Sequence, residues 1–129
     1  MSKSFLSDTP VMCFIATAKP EEAQKFYSET LGLALIADHE YSLLFSVNQT
    51  LTLCVQKVPE LTPQQFTVFG WQVENIAEAV ADLTERGVKF GVYGFLTQDA
   101  GGICTFENGD KVAWFKDPDG NTLSLAEIR

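Results

Sequence analysis

The single histidine is the residue in this chain that most resembles an acid–base catalyst. His39 follows Asp38 and precedes Glu40, within a polar connector between two apolar runs. An imidazole titrates near neutral pH, so it can serve as a general base in such a setting. A histidine in a polar connector is also commonly a surface residue, and the sequence leaves both interpretations open.

Serine, glycine and cysteine patterns argue against three other kinds of site. No Gly-x-Ser-x-Gly motif occurs, so the chain lacks a nucleophile elbow. Gly101 and Gly102 do not precede a helix that carries Lys-Ser or Lys-Thr, so they do not form a phosphate loop. Cys13, Cys54 and Cys104 lie far apart in apolar runs without zinc or redox spacing, and we expect reduced, buried thiols.

Aromatic side chains are the more informative set. The chain has ten Phe, three Tyr and two Trp, many of them in its second half. Most must belong to the core, but Trp and Tyr carry a polar atom and tend to line the walls and rims of cavities. A sheet lined with such rings suits a flat or a cationic organic ligand. The aromatic residues on predicted strands or loops of the second half include Phe69, Trp71, Phe90, Tyr93, Phe95, Phe106, Trp114 and Phe115.

Length, composition and charge predict one globular cytoplasmic domain. The 129 residues are 46% hydrophobic and 20% charged, which is typical of a folded protein. No apolar run approaches the roughly 20 residues of a membrane span, and the first residues do not form a signal peptide. The lack of such a run leads us to expect no membrane partner, and the net charge of −8, which repels phosphate backbones, leads us to expect no nucleic-acid partner.

A tight turn near the end of the chain connects two of the elements that must position these residues. Residues 117–121 read Asp-Pro-Asp-Gly-Asn between the apolar runs 112–115 and 122–125. Pro presets one turn dihedral, Gly supplies a positive φ, and Asp and Asn close turns with their side chains. The pattern predicts a β-hairpin.

The order of the other elements occurs twice along the chain. Each helix ends at a glycine, Gly32 in the first half and Gly87 in the second, and Asn75 with Glu78 has capping-box spacing at the start of the second helix. Asn108 and Gly109 predict a further hairpin turn. The predicted strands are residues 11–16, 33–37, 41–47 and 51–55, then 66–73, 88–93, 102–106, 111–115 and 123–128, and residues 59–63 form the connector.

Two segments resemble the vicinal oxygen chelate superfamily of glyoxalases, bleomycin-resistance proteins and extradiol dioxygenases. Residues 26–33, Phe-Tyr-Ser-Glu-Thr-Leu-Gly-Leu, are similar to its Phe-Tyr…Leu-Gly helix end, and residues 115–125 are similar to its closing hairpin. The resemblance implies an α+β fold in which two βαβββ modules form a curved mixed sheet around a cavity. It further implies a single domain, 1–129, with modules at about 9–58 and 64–129, and a homodimer.

The superfamily's metal enzymes use four ligands, usually His and Glu, one from each of four strands. The resemblance places these positions at Met12, Thr52, Val68 and Ser124. A catalytic divalent ion needs charged or imidazole donors, typically three or more from the protein, and these four side chains supply at most two hydroxyl groups. We therefore expect no metal and no cofactor.

The resemblance leaves three functions open. The leading hypothesis is a metal-free protein of the bleomycin-resistance type, which sequesters an aromatic or cationic small organic molecule. The alternatives are a metal-dependent lyase, isomerase or dioxygenase with displaced ligands, and a metal-free enzyme or regulatory subunit that uses His39 or Glu127. The residues that we expect to line the ligand cavity are Met12, Phe14, Thr52, Cys54, Val68, Trp71, Tyr93, Trp114 and Ser124.

Overall fold

A computed structural model describes residues 2–129, which divide into two compact units. The first unit ends at Leu61 and the second is Thr62–Arg129, so the division lies within the predicted connector. The first unit contains a 3-10 turn Phe5–Asp8, β1 Val11–Thr17, α1 Pro20–Lys25, a π-helical turn Phe26–Thr30, β2 Ala34–Asp38, β3 Ser42–Asn48 and β4 Leu51–Lys57. The second contains β5 Thr67–Gln72, α2 Ile76–Glu85, β6 Cys104–Thr105, β7 Lys111–Lys116 and β8 Thr122–Glu127.

Each unit has one four-stranded mixed sheet, and the two sheets have the same topology. The strand orders are β1-β4-β3-β2 and β5-β8-β7-β6. The first and last strands of each unit pair in parallel, and the other neighbours are antiparallel. The α+β class and the repeated order of elements predicted from the sequence are confirmed. No helix within residues 2–129 is long and apolar enough to cross a membrane.

In the first unit, alternation along the strands buries one face of the sheet. Ile15 of β1, Phe45 of β3 and Val55 of β4 are all buried. Tyr27, from the π-helical turn after α1, is also buried, with its ring centroid 5.7 Å from that of Phe45. Gly32 then adopts a φ of 77°, a left-handed conformation that favours glycine, and ends the helix as predicted.

In the second unit, α2 covers one face of the sheet and packs on β7 and β8. Ile76 and Val80 of this helix are buried, as are the strand residues Phe115 and Leu125. The predicted cap is present, because the Asn75 Oδ1 accepts a hydrogen bond from the Glu78 N–H at 3.1 Å.

One predicted strand is wrong and another is shortened. Residues 88–93 form no strand, and of the predicted strand 102–106 only Cys104–Thr105 is extended in a ladder. Two isolated bridges remain, between Phe90 and Phe115 and between Gln98 and Cys104. The Gly91 N–H still donates to the Trp114 carbonyl of β7 at 2.8 Å. Beyond it, the Gly91 carbonyl and the Tyr93 N–H bond to the side chain of Gln98, so the ladder does not continue.

Candidate functional site

The hairpin at residues 117–121 holds β7 and β8 in register. Asp117 and Asn121 are 6% and 5% exposed. The Asp117 carboxylate accepts hydrogen bonds from the backbone N–H groups of Asp119 at 3.0 Å and Asn121 at 2.9 Å, and from the Asn121 Nδ2 at 2.9 Å. Gly120 has the positive φ that the sequence predicted, 91°. The turn thereby fixes which residues of β7 and β8 share a face.

Next to this hairpin, the second unit has an open cleft with a volume of about 380 Å³. Its walls come from the segment before β5, the start of β5 and β8, the middle of β7, the irregular chain between α2 and β6, and the residue that follows β6. The residues that line it are Gln65, Phe66, Thr67, Tyr93, Phe95, Leu96, Phe106, Trp114 and Thr122. We refer to it as the aromatic cleft, because five of these nine side chains are aromatic.

Rings of the aromatic cleft are both organised and accessible. The Tyr93 ring lies edge-on to Trp114, with centroids 5.8 Å apart at 87°, and 6.0 Å from the Phe95 ring. Phe66 is 64% exposed, Phe95 85% and Phe106 42%. Large apolar side chains that gather at the surface in this way are typical of a binding site.

The polar groups of the aromatic cleft are uncharged. Thr67, Thr122 and Tyr93 bring hydroxyl groups, Gln65 brings an amide, and Trp114 brings an indole N–H. Such a lining can hydrogen-bond to a ligand and stack against it, but it provides no carboxylate, imidazole or ammonium group for general acid–base catalysis.

Of the nine residues expected to bind a ligand, Tyr93 and Trp114 line this cleft. Ser124 is the cross-strand partner of Trp114 and therefore lies on the same face of the sheet. Val68 is the unpaired residue of an irregularity in β5. Trp71 lies on the opposite face, against the Phe69 ring at a centroid distance of 4.7 Å, so the structure does not bring it together with Trp114.

The other four expected residues form a separate group in the first unit. Met12 pairs with Thr52 and Phe14 pairs with Cys54, so all four share one face of the sheet. This face is opposite the one that Ile15 and Val55 bury. Met12 and Phe14 are half-exposed, whereas Cys54 is buried. The structure therefore places these four residues on one face of the sheet, and that they bind a ligand stays a prediction.

Sequence reasoning did not single out several residues of the aromatic cleft. Phe66 was expected only as the start of a strand, and Gln65, Thr67, Leu96 and Thr122 were not considered as site residues. Phe95 and Phe106 were recognised as aromatic residues of the second half, but their shared cleft depends on the irregular chain before β6. The signal available in the sequence was the number of aromatic residues in the second half.

The four positions that correspond to metal ligands do not fit a divalent ion. Met12 and Thr52 are neighbours on β1 and β4, and Val68 and Ser124 lie on β5 and β8, but two hydroxyl groups are their only oxygen donors. Within residues 2–129, no three His, Cys, Asp or Glu side chains come together as a possible metal site. These four residues therefore cannot hold a catalytic divalent ion.

Neither titratable residue considered for catalysis lines the aromatic cleft. His39 is exposed between β2 and β3, where its backbone carbonyl accepts a hydrogen bond from the Lys57 Nζ at 2.7 Å. Glu127 is buried, and its Oε1 accepts a hydrogen bond from the Ile76 N–H at 3.1 Å at the start of α2. Its Oε2 lies 2.7 Å from the Arg129 guanidinium. The ladder between β7 and β8 has no bulge that could turn Glu127 towards the face of Ser124.

Comparisons with known proteins agree with this fold. The family model described as Glyoxalase/Bleomycin resistance protein/Dioxygenase superfamily matches residues 9–125. No curated protein shows a significant match to the chain. A superfamily member from Sphaerobacter thermophilus DSM 20745 is similar in structure, with a TM-score of 0.70, 24% identity, and coverage of 92% of this chain and 96% of that one.

Two further solved structures show the same likeness. TnmS3, an antibiotic binding protein from Streptomyces sp. CB03234, has a TM-score of 0.68 and 22% identity, and the match covers 100% of this chain and 99% of that one. A glyoxalase/bleomycin resistance protein from Catenulispora acidiphila DSM 44928 has a TM-score of 0.70 and 20% identity, over 94% and 99% of the two chains. At these identities the likeness establishes the fold alone.

Proposed function

The chain belongs to the Glyoxalase/Bleomycin resistance protein/Dioxygenase superfamily, and from this premise we propose that it is a metal-free protein that binds and sequesters an aromatic or cationic organic molecule. The observation that carries the proposal is the aromatic cleft, where five rings surround a space of about 380 Å³. Antibiotic binding by the structurally similar TnmS3 supports the same class of function.

Chemistry of the cleft favours a planar ring system as the ligand. Edge-to-face and offset contacts with rings such as Tyr93 and Trp114 contribute about 0.5–1.5 kcal/mol each beyond the burial of area. A cation can also bind over the ring faces, and the net charge of −8 attracts it over longer distances. Because no charged side chain lines the cleft, salt should weaken the binding of a cationic ligand only modestly and that of a neutral one not at all.

Two planar probes test the proposal, the cation proflavine and the neutral compound flavone. A probe at 100 times its Kd should stabilise the protein by about 2.7 kcal/mol, which a thermal unfolding assay detects. If neither these probes nor a wider panel of aromatic and cationic compounds raises the unfolding temperature, the proposal is wrong.

The two tryptophans provide a matched pair that locates the binding. The variant Trp71→Phe retains Trp114 as its only tryptophan, in the cleft, and Trp114→Phe retains Trp71 on the opposite face of the sheet. We expect a bound probe to change the tryptophan emission of Trp71→Phe strongly and that of Trp114→Phe weakly. The reverse result would place the ligand elsewhere.

A metal-dependent lyase, isomerase or dioxygenase remains the alternative function, although no donor cluster in residues 2–129 favours it. Elemental analysis of protein purified without chelators distinguishes the two. One equivalent of nickel, zinc, iron or manganese that is lost on substitution of residues in this chain would support the enzyme. Homodimer formation and a cytoplasmic location also stay predictions. Light scattering after size exclusion tests the formation of the homodimer.

A further inference from the structure

The chain between α2 and β6 forms one wall of the aromatic cleft without being a helix or strand. This wall segment, residues 88–103, contributes Tyr93, Phe95 and Leu96 to the lining. An irregular segment of this length loses conformational entropy when it is fixed in one arrangement, so specific contacts must compensate. Contacts of this kind must hold the rings of Tyr93 and Phe95 in the wall segment.

Gln98 makes three hydrogen bonds that connect distant parts of the wall segment. Its Nε2 donates to the carbonyl of Gly91 at 2.9 Å and to that of Gly102 at 2.7 Å, and its Oε1 accepts from the Tyr93 N–H at 2.6 Å. The side chain therefore uses both of its donors and its acceptor on the backbone of the segment that contains it. It satisfies three backbone groups in addition to the bond that the Gly91 N–H makes to the Trp114 carbonyl of β7.

The ring of Tyr93 depends on the same arrangement. The Tyr93 ring fits beside Gly91 because glycine has no side chain. A Cβ at position 91 would lie 2.9 Å from the Tyr93 Oη. Trp114 meets the ring edge-on, with centroids 5.8 Å apart. The backbone of Tyr93 is held by Gln98, and its ring lies between Gly91 and Trp114.

We propose that Gln98 is the positioning residue of the aromatic cleft, which fixes Tyr93 in the wall before any ligand arrives. Its effect on affinity rests on the proposed function, but its effect on the ligand-free wall does not. A preorganised wall avoids the ordering of a loop upon binding, so loss of Gln98 should lower affinity even though Gln98 does not line the cleft.

The neighbouring residue Asp99 cannot replace Gln98. Its Oδ1 already accepts hydrogen bonds from the N–H groups of Gly101 and Ile103, both at 2.9 Å. A carboxylate also has no N–H to offer the carbonyls of residues 91 and 102. The positioning role therefore requires the amide of Gln98 itself.

Amide hydrogen exchange in the ligand-free protein tests this role directly. In Gln98→Ala, we expect exchange of the Tyr93 N–H to accelerate at least tenfold, while the N–H groups of Leu123 and Leu125 in β8 stay protected. Gln49→Ala, an exposed glutamine in the turn between β3 and β4, is the matched control and should leave Tyr93 unchanged. Unchanged Tyr93 exchange in Gln98→Ala would overturn the proposal.

Gln98→Glu separates positioning from a general loss of stability. At neutral pH the new carboxylate keeps an acceptor for the Tyr93 N–H, but it faces the carbonyls of Gly91 and Gly102, which repel it and push the side chain out of its native position. Protonation at lower pH restores one O–H donor, so Tyr93 exchange, corrected for the intrinsic pH dependence, should return towards that of the native protein as the pH falls. If Tyr93 exchange in Gln98→Glu depends on pH no more than it does in Gln98→Ala, the result argues against the positioning role.

Affinity for proflavine or flavone completes the test. We expect Gln98→Ala to bind the probe at least tenfold more weakly than the native protein and Gln49→Ala to bind it normally. Equal affinity of Gln98→Ala and the native protein would overturn the proposal. If the native protein binds neither these probes nor any compound of the wider panel, although Gln98→Ala accelerates Tyr93 exchange, the proposed function is contradicted and the positioning role stands.

Discussion

Gly70 lies directly beside Ser124 on the neighbouring strands β5 and β8, and a Cβ at position 70 would come within 2.4 Å of the Ser124 Oγ and 2.7 Å of its carbonyl oxygen. Trp114 is the next residue across the sheet. The face of the sheet that carries Trp114 is therefore bare backbone at Gly70. Ser124 already occupies the space that a larger residue at position 70 would need.

We predict that Gly70→Ala destabilises the second unit. The added methyl group must displace the backbone of β8, and such overpacking typically costs about 1–3 kcal/mol. Urea denaturation should show the loss as a lower free energy of unfolding. Adding Ser124→Ala should recover only part of it, because the contact with the carbonyl oxygen remains. Gly94→Ala is the control, since a Cβ there meets nothing within 4 Å, and it should be neutral or slightly stabilising.

Asp117→Ala should be among the most destabilising single substitutions in the hairpin. It removes a buried carboxylate that accepts at least three hydrogen bonds, and leaves buried donors of Asn121 without this partner. We expect a loss of about 3 kcal/mol, measured by urea denaturation. Asp117→Asn keeps an oxygen for the backbone donors, but its new NH2 group faces the NH2 group of Asn121. We therefore expect the loss in the free energy of unfolding to be about half as large. Equal losses for the two variants would contradict this account of the turn.

Glu127 should behave as a helix-capping residue and not as a catalytic one. Glu127→Ala removes the acceptor of the Ile76 N–H at the positive end of α2, and we expect a loss of about 2 kcal/mol in the free energy of unfolding. Glu127→Gln keeps an acceptor and should lose about 1 kcal/mol. Arg129→Ala, which removes only the exposed partner, should lose less than about 1 kcal/mol. A large effect of Glu127→Gln on probe affinity without a change in stability would contradict the capping role.

Phe66 and Phe5 offer a matched test of the aromatic cleft. Both rings are largely exposed, at 64% and 76%, so neither alanine variant should unfold more easily. Only Phe66 lines the cleft. Phe66→Ala should therefore weaken the binding of proflavine or flavone about tenfold, which corresponds to about 1.4 kcal/mol, and Phe5→Ala should leave it unchanged. Isothermal titration measures both, and equal affinities would exclude Phe66 from the site.

The sequence by itself determined the local elements and much of the topology. Gly32 ends a helix because it adopts a positive φ, Asn75 caps α2 with its side chain, and Asp117 closes a hairpin with its carboxylate. These signals act over a few residues, so they can be recognised without tertiary information. The repeated order of strands and helix then predicted two similar sheets, and residues 26–33 and 115–125 carried the resemblance to the superfamily.

Only the tertiary structure decided which aromatic residues form a site. Alternation along β5 puts Phe69 and Trp71 on one face, but the pairing of β5 with β8 and of β8 with β7 places Trp114 on the other. Residues 88–93 of the wall segment were predicted as a strand, whereas the amide of Gln98 bonds to the Gly91 carbonyl and the Tyr93 N–H, and Tyr93 lines the cleft. Strand neighbours and side-chain bonds between distant residues depend on the whole fold, and no local pattern encodes them.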